Sequence, residues 1–507
     1  MSPRRLDVPY AQETWRADEA DILRRYFTNL EGPVFALVNL PEVVKGALFA
    51  RYSRSTKSLR RLFLDEFVGD LDVSGDHGID ATVGLARAEQ LYEKVFFEYG
   101  DDSVAQLGGV HLACEQASNL LTKVLERGRL MSYMEKSTRY VAYDTRLPSG
   151  RYRYYRSPEV LASSIGARYV GDMDRMFDAY ANLLPTLYDW FSGRLPKAKG
   201  ESELAYRQAV KAQALGTLRG VLPASATSNL GIYGSGQGFE SLVLRLRAHP
   251  LPEARQYGEL ILAELRKVVP SWVRRVDAKD KGVARSAYLE KNDQAMAELA
   301  TSIFGPEQRA GDRPSAVPEP EVRLVDWDPE AEVEVVAAML YPYTHLSDEE
   351  VLARVVAMTS AERLQIMEHY NGERVDRRHR PGRALERCSY RFDVVSDYGA
   401  FRDLQRHRLL TIEWQGLTPY HGYTMPGAVA EAAGEKPYAE AMDRSALLYE
   451  VLAPRFGPQI AAYAVTLAYR TRYSIQMNAR EAMHVLELRT APQGPQSTAA
   501  CANKCTI

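Results

Sequence analysis

The chain has 507 residues, 46% apolar and 26% charged, the balance of a globular protein with room for two cores. Its 64 Lys and Arg nearly cancel 66 Asp and Glu, leaving −2, so no global field selects nucleic acid or membrane and any anion site must be local. No apolar run spans a bilayer, the start MSPRRLDVPY lacks a signal peptide's apolar stretch, and four scattered cysteines make no disulfide framework, so cytoplasm is the expected compartment.

Residues 1 to about 30 are charged and define no clear element. From Gly32 to Phe67 the pattern predicts helices, with Pro41 at a first turn, and the run Arg51, Arg54, Lys57, Arg60 and Arg61 reads as a solvated face. A Gly/Asp loop over Asp70–Asp80 precedes a predicted helix over Leu85–Tyr99. Val110–Cys114 alternates weakly as a strand and leads into a predicted helix, Glu115–Glu126. Helical patterns return over Ser157–Leu195, Glu203–Leu215, Leu242–Arg247 and Glu253–Val269. Between them GIYGSGQG, Gly231–Gly238, has phosphate-loop glycines without the following Lys-Ser/Thr, and is expected to be a flexible loop.

Four prolines between Phe304 and Val322 mark a linker over 305–321, separating a domain at 1–304 from one at 322–490. The second half opens with a strand, Val322–Trp327, then helices near Glu330–Leu340, Ser347–Met358 and Ser360–Tyr370. RRHRPGR, Arg377–Arg383, is the most basic run. Tyr390–Val394 alternates cleanly as a strand, and Asp397 is placed to cap a short helix after it. Further helices are expected over Ala439–Leu452 and Gln459–Leu467, and a flexible tail over 491–507, where Cys501 and Cys505 are a weak metal signal.

Chemistry concentrates at Arg127–Tyr140, RGRLMSYMEKSTRY, where three guanidiniums sit among three hydroxyls. Such a set suits an anion, since Arg offers phosphate a fixed fork of donors, but it also suits a solvated helix end with Glu135 and Arg139 paired. The stretch has an echo: RHRLLTI at Arg406 matches RGRLMSY at Arg127. Each copy follows a strand-like segment, and each is followed later by a matched piece, LVLRLR ending at Arg247 and HVLELR ending at Arg489. Four features in the same order point to an internal duplication. The nine histidines form no metal-ligand spacing and no G-x-S-x-G elbow is present, so no metal site is expected.

These residues resemble the flavin-dependent thymidylate synthases, whose signature is R-H-R-x-x-S-x-N-E-x-S-x-R-Y followed by a segment running from N-A-R to N-L-R. The first copy keeps Arg127, Arg129, Ser132, Glu135, Ser137, Arg139 and Tyr140, with Gly128 and Met134 in place of His and Asn. The second keeps Arg406, His407 and Arg408, with Thr411 for Ser, then departs at Glu413, Trp414, Gly416 and Thr418. It also keeps Asn478, Arg480 and Arg489 of the later segment, where the first copy keeps only Arg247.

The resemblance implies an α+β fold of two homologous domains, each a small antiparallel sheet flanked by helices. It implies FAD held through Arg383, Glu386, Arg406, His407, Arg408, Asn478 and Arg480. It assigns the nucleotide to Arg127, Arg129, Ser132, Glu135, Ser137, Arg139, Tyr140 and Arg489, with Arg489, Glu135 and Ser137 in catalytic roles. Family active sites form between subunits of a tetramer, so composite sites joining the two copies, in a homodimer imitating that tetramer, are expected. The implied reaction is methylation of dUMP at C5 with methylenetetrahydrofolate and NADPH. The same chemistry on UMP or another uridine nucleotide, and a non-catalytic nucleotide- or RNA-binding paralogue using Arg377–Arg383 as a basic patch, remain open. Membrane partners are not expected.

Overall fold

The computed structural model describes residues 10–40, 42–68, 109–305, 321–490 and 496–504. The loop expected at 70–80, the helix at 85–99, Pro41 and most of the linker lie outside them. The chain forms two compact units. One comprises Met1–Gln308 with Lys436–Thr466, the other Arg309–Glu435 with Leu467–Ile507.

Each unit carries one four-stranded antiparallel sheet. In the first, β1 (Val34–Leu37), β2 (Gly109–Ser118), β3 (Met131–Glu135) and β4 (Thr227–Ser235) lie in the order β1-β2-β4-β3. In the second, β5 (Val322–Trp327), β6 (Tyr390–Asp397), β7 (Thr411–Trp414) and β8 (Arg470–Met477) lie in the order β5-β6-β8-β7. The orders are the same, and the expected equivalence of Val110–Cys114 with Tyr390–Val394 falls on β2 and β6. In β6 and β8 the buried side chains alternate, Phe392 and Val394 beside Ile475 and Tyr473, as a sheet with one covered face requires.

In each copy the central strand runs into a helix that places the later motif. Ser235 caps α1 (Gly236–Ala248), its side chain accepting from the Gly238 N–H. Asn478 caps α2 (Ala479–Arg489), its side chain accepting from the Glu481 N–H at 2.9 Å. Asp397 caps Tyr398–Leu404 through the Ala400 N–H as expected.

Several expectations are corrected. The Gly32–Phe67 stretch contains β1 as well as helices, because VFAL is buried at all four positions against β2. The helix expected from Glu115 begins at Asn119, since β2 continues through a bulge after Cys114, with Gln116 at φ 56°. Glu135 ends a strand, so no helical Glu135–Arg139 pair exists. Gly231–Gly238 is the end of β4 and the first turn of α1, not a flexible loop. Its glycines permit close packing: a Cβ at Gly234 would lie 2.5 Å from the Met131 methyl, and one at Gly236 2.7 Å from the Trp272 ring.

The expected 322–490 domain is also redrawn. Lys436–Thr466 groups with the first unit because its side chains are buried there: the Tyr463 hydroxyl donates to Glu253 at 2.7 Å, and Ala224 N–H donates to the Val465 carbonyl at 2.8 Å. The tail expected to be flexible includes a helix, Gln496–Lys504, in which Cys501 and Ala502 are buried and Thr498 donates to Asp403 at 2.9 Å. Cys505 lies outside the described residues. No described helix is long and apolar enough to cross a membrane.

Candidate functional site

The cap helix α2 and the turn after Tyr398–Leu404 face each other across a cleft of about 840 Å3 in the second unit. Its wall contains Arg383, Glu386, Arg406, His407, Arg408, Asn478, Arg480 and Arg489. All seven residues expected to hold the flavin are therefore gathered with Arg489. They come from three separate stretches of chain, which only the sheet brings together.

At the base, His407 is buried while Arg406 and Arg408 on either side are exposed. The His407 Nε2 accepts from the Arg489 Nε at 2.8 Å, and its Nδ1 lies 3.3 Å from a Glu481 carboxylate oxygen. Arg can only donate, so Nε2 carries no proton and Nδ1–H faces Glu481. Burial pushes the His407 imidazole below its ordinary pKa, in keeping with that neutral form. Arg489 also donates to the Asp403 carbonyl, which fixes its guanidinium.

One helical turn beyond Glu481, His484 brings its ring to 5.3 Å from His407. Ligand atoms of His407, Glu481 and His484 lie within 4.8 Å of one another, a spacing a metal could use. Here, however, the Nε2 lone pair is taken by Arg489 and the cleft is lined by arginines, a setting that opposes a cation.

The rim is held by ion pairs. Arg480 donates to Glu386 at 2.8 Å and to the Pro381 carbonyl at 3.0 Å, and Arg374 pairs with Glu487 at 2.6 Å. Arg383, and after it Arg480, holds the Glu386 carboxyl below the usual range. The basic run contributes Arg377, Arg380 and Arg383 to this same wall. No sequence motif marks Arg374, His484 and Glu487; for His484 the helical spacing of Glu481, His484 and Leu488 is the available signal.

The first-copy residues are dispersed. Arg127, Arg129 and Ser132 are exposed and Ser137 is half-buried, its hydroxyl accepting from the Arg139 N–H at 3.2 Å. Tyr140 lines another cleft, of about 760 Å3, beneath the Arg54 guanidinium 5.3 Å from its ring. Glu135, expected to be catalytic, is buried with the Lys123 ammonium at 3.3 Å, which also pairs with Glu126.

The family described as "Thymidylate synthase complementing protein" matches residues 51–271 and 323–506, so β2, β3 and β4 fall in the first segment and the second sheet, but for Val322, in the second. The chain belongs to this family. It carries two diverged copies of the flavin-dependent thymidylate synthase fold. A UPF0159 protein of Chlamydia pneumoniae is 39% identical over 96% of this chain and 91% of its own length. One from Chlamydia muridarum is 38% identical over 95% and 90%, and one from Thermoplasma acidophilum 31% identical over 89% of each. A solved structure, the flavin-dependent thymidylate synthase ThyX of Helicobacter pylori complexed with FAD and dUMP, aligns with 36% of this chain and 91% of its own. Its identity is 17% and its TM-score 0.27.

Proposed function

We propose that the protein is an FAD-dependent synthase that methylates dUMP at C5, using methylenetetrahydrofolate as carbon donor and NADPH as reductant. The observation that carries this reading is the arginine-lined cleft of the second unit, where separate parts of the signature converge. Guanidinium forks at Arg406, Arg408 and Arg480 suit the pyrophosphate of a dinucleotide, and the cleft volume falls within the usual range for cofactor sites. Asn478 and Glu386 orient that wall by capping α2 and by holding Arg480.

When bound, flavin supplies the hydride that the transferred carbon needs. The chain's own part is electrostatic. Arg489, anchored by His407 and the Asp403 carbonyl, is assigned to the pyrimidine edge where negative charge develops. His407 sets the direction of that guanidinium and excludes water from its far side. Arg127, Arg129, Ser132, Ser137, Arg139 and Tyr140 are assigned to nucleotide phosphate and sugar by their place in the motif. Glu135 and Ser137 are kept as candidates for the chemistry only through that resemblance. Two chains are expected to associate, and light scattering would check it.

The test is direct. Purified protein should be yellow and bleach with NADPH, then release label from the C5 position of dUMP only with methylenetetrahydrofolate present. A protein that neither retains nor takes up FAD overturns the reading. A yellow, NADPH-reducible protein active on UMP but not dUMP would move the substrate to a ribonucleotide.

A further inference from the structure

The first unit holds a cavity that the reading above does not use. It measures about 500 Å3, and its wall includes Lys136, Arg153, Gln116, Asn229 and Thr56. Lys136 directly follows Glu135 at the end of β3. Its backbone is pinned to β4: the N–H donates to the Asn229 carbonyl at 2.8 Å, and its carbonyl accepts from the Ser228 hydroxyl at 3.3 Å. The side chain is only 5% exposed.

Lysine is almost never buried this deeply unless paired. Among the described residues, the Lys136 ammonium has neither a hydrogen-bond nor an ion-pair partner. Arg153, on the same wall, has its Nη1 buried without a hydrogen-bond partner. The nearby carboxylate Glu115 is already engaged by the Tyr52 hydroxyl at 3.1 Å, the Leu59 N–H at 3.0 Å, the Tyr10 hydroxyl and Arg60. Burial, with the charge of Arg153 after it, pushes Lys136 down to about 7. Two cations therefore line the cavity, while the carboxylates on its wall are engaged elsewhere, Glu115 with Arg60 and Glu13 with the Ser58 hydroxyl, and the β3–β4 pairing fixes where Lys136 stands.

We propose that this cavity binds a small molecule through an oxyanion, a phosphate or a carboxylate, held between Lys136 and Arg153. An ammonium beside a guanidinium fork is complementary to such a group, and amide and hydroxyl side chains at Gln116, Asn229 and Thr56 add uncharged partners on the wall. The anion supplies the opposite charge that burial has otherwise withheld. Its arrival favours the protonated lysine, so binding takes up a proton at neutral pH.

Pyridoxal 5′-phosphate is the probe, since it joins a phosphate to an amine-reactive aldehyde. The neutral Lys136 amine attacks the aldehyde carbon, a C=N bond forms and water leaves. Borohydride then delivers hydride to that carbon, fixing a secondary amine that peptide mass spectrometry can locate. Near neutral pH Lys136 should label faster than the exposed lysines, and saturating inorganic phosphate or acetate should slow it about tenfold. Stronger protection by phosphate assigns the ligand group as phosphate, and stronger protection by acetate assigns it as carboxylate. Arg153→Gln should weaken protection at least about fivefold with an unchanged melting temperature. The proposal is overturned if neither anion protects Lys136, or if Arg153→Gln is protected as well as the natural chain. Flavin does not enter the readout, so the outcome is independent of the synthase reading.

Discussion

The two copies place related segments at corresponding corners of two sheets with the same strand order, and they fill those corners differently. In the register of HVLELR with LVLRLR, His484, Glu481 and Arg489 correspond to Leu242, Phe239 and Arg247, while His407 corresponds to Gly128. Leu242 and Phe239 are fully buried, and Arg247 is bound to Glu259 at 2.6 Å, to Asp277 at 3.0 Å and to the Val276 carbonyl. Tyr133 closes over Gly128, its hydroxyl donating to the Gly128 carbonyl at 3.1 Å. One scaffold thus supports a charged cleft in one copy and a packed corner in the other. The backbone decides where a terminal arginine stands; the side chains opposite decide whether it meets an imidazole beside a cleft or a carboxylate of its own chain.

The sharpest way to break this comparison is to remove the arginines pairwise. Arg406→Ala with Arg408→Ala should weaken FAD binding by roughly 100- to 10,000-fold, on the basis of about 1.5–3 kcal/mol for each of two charged hydrogen bonds lost. Arg127→Ala with Arg129→Ala should leave flavin affinity unchanged, as read by flavin fluorescence. Equal flavin loss from both pairs would erase the distinction. Arg489→Ala should abolish turnover with little change in flavin content.

Restoring the missing histidine tests the packed corner. In Gly128→His the new Cβ would lie 2.6 Å from the Tyr133 hydroxyl, so the variant should lose roughly 1–3 kcal/mol in denaturant unfolding and gain no flavin site. A yellow first unit would show that the corner was only one residue from function. Arg247→Ala should cost about 1 kcal/mol, since its carboxylate partners are nearly half-exposed and their pairing is screened. Its melting temperature should fall while its flavin content stays that of the natural chain.

The smallest effect is one of pH. Burial lowers the His407 pKa, so below about 6.5 the unfolded chain takes up a proton that the folded one resists. Stability from this group is present above that pH and is lost as pH falls through it. Gly128 has no such group, so His407→Gln should flatten the acid side of the second unit's unfolding profile, followed by urea midpoints across pH. An unchanged slope would mean that the imidazole is already paired to an equal degree when unfolded.

By itself the sequence determined the duplication, the family and the residues that gather around the arginine-lined cleft of the second unit. Those follow from local order: alternation in Tyr390–Val394, caps at Asp397 and Asn478, and arginines at matched spacings persist whatever the tertiary contacts are. Other features depended on partners distant in the chain. VFAL is a strand because β2 lies beside it, and GIYGSGQG is ordered because Met131 and Trp272 press on its glycines. Lys436–Thr466 belongs with the first unit because Tyr463 reaches Glu253, 210 residues away. The tail folds because Thr498 finds Asp403. Glu135 is enclosed by Lys123, and Lys136 is buried where β3 pairs with β4, neither of which local pattern shows. Period and spacing report which residues share a face of one element; what that face meets is set by packing between elements, where burial decides whether a charge is bound, shielded or left for a ligand.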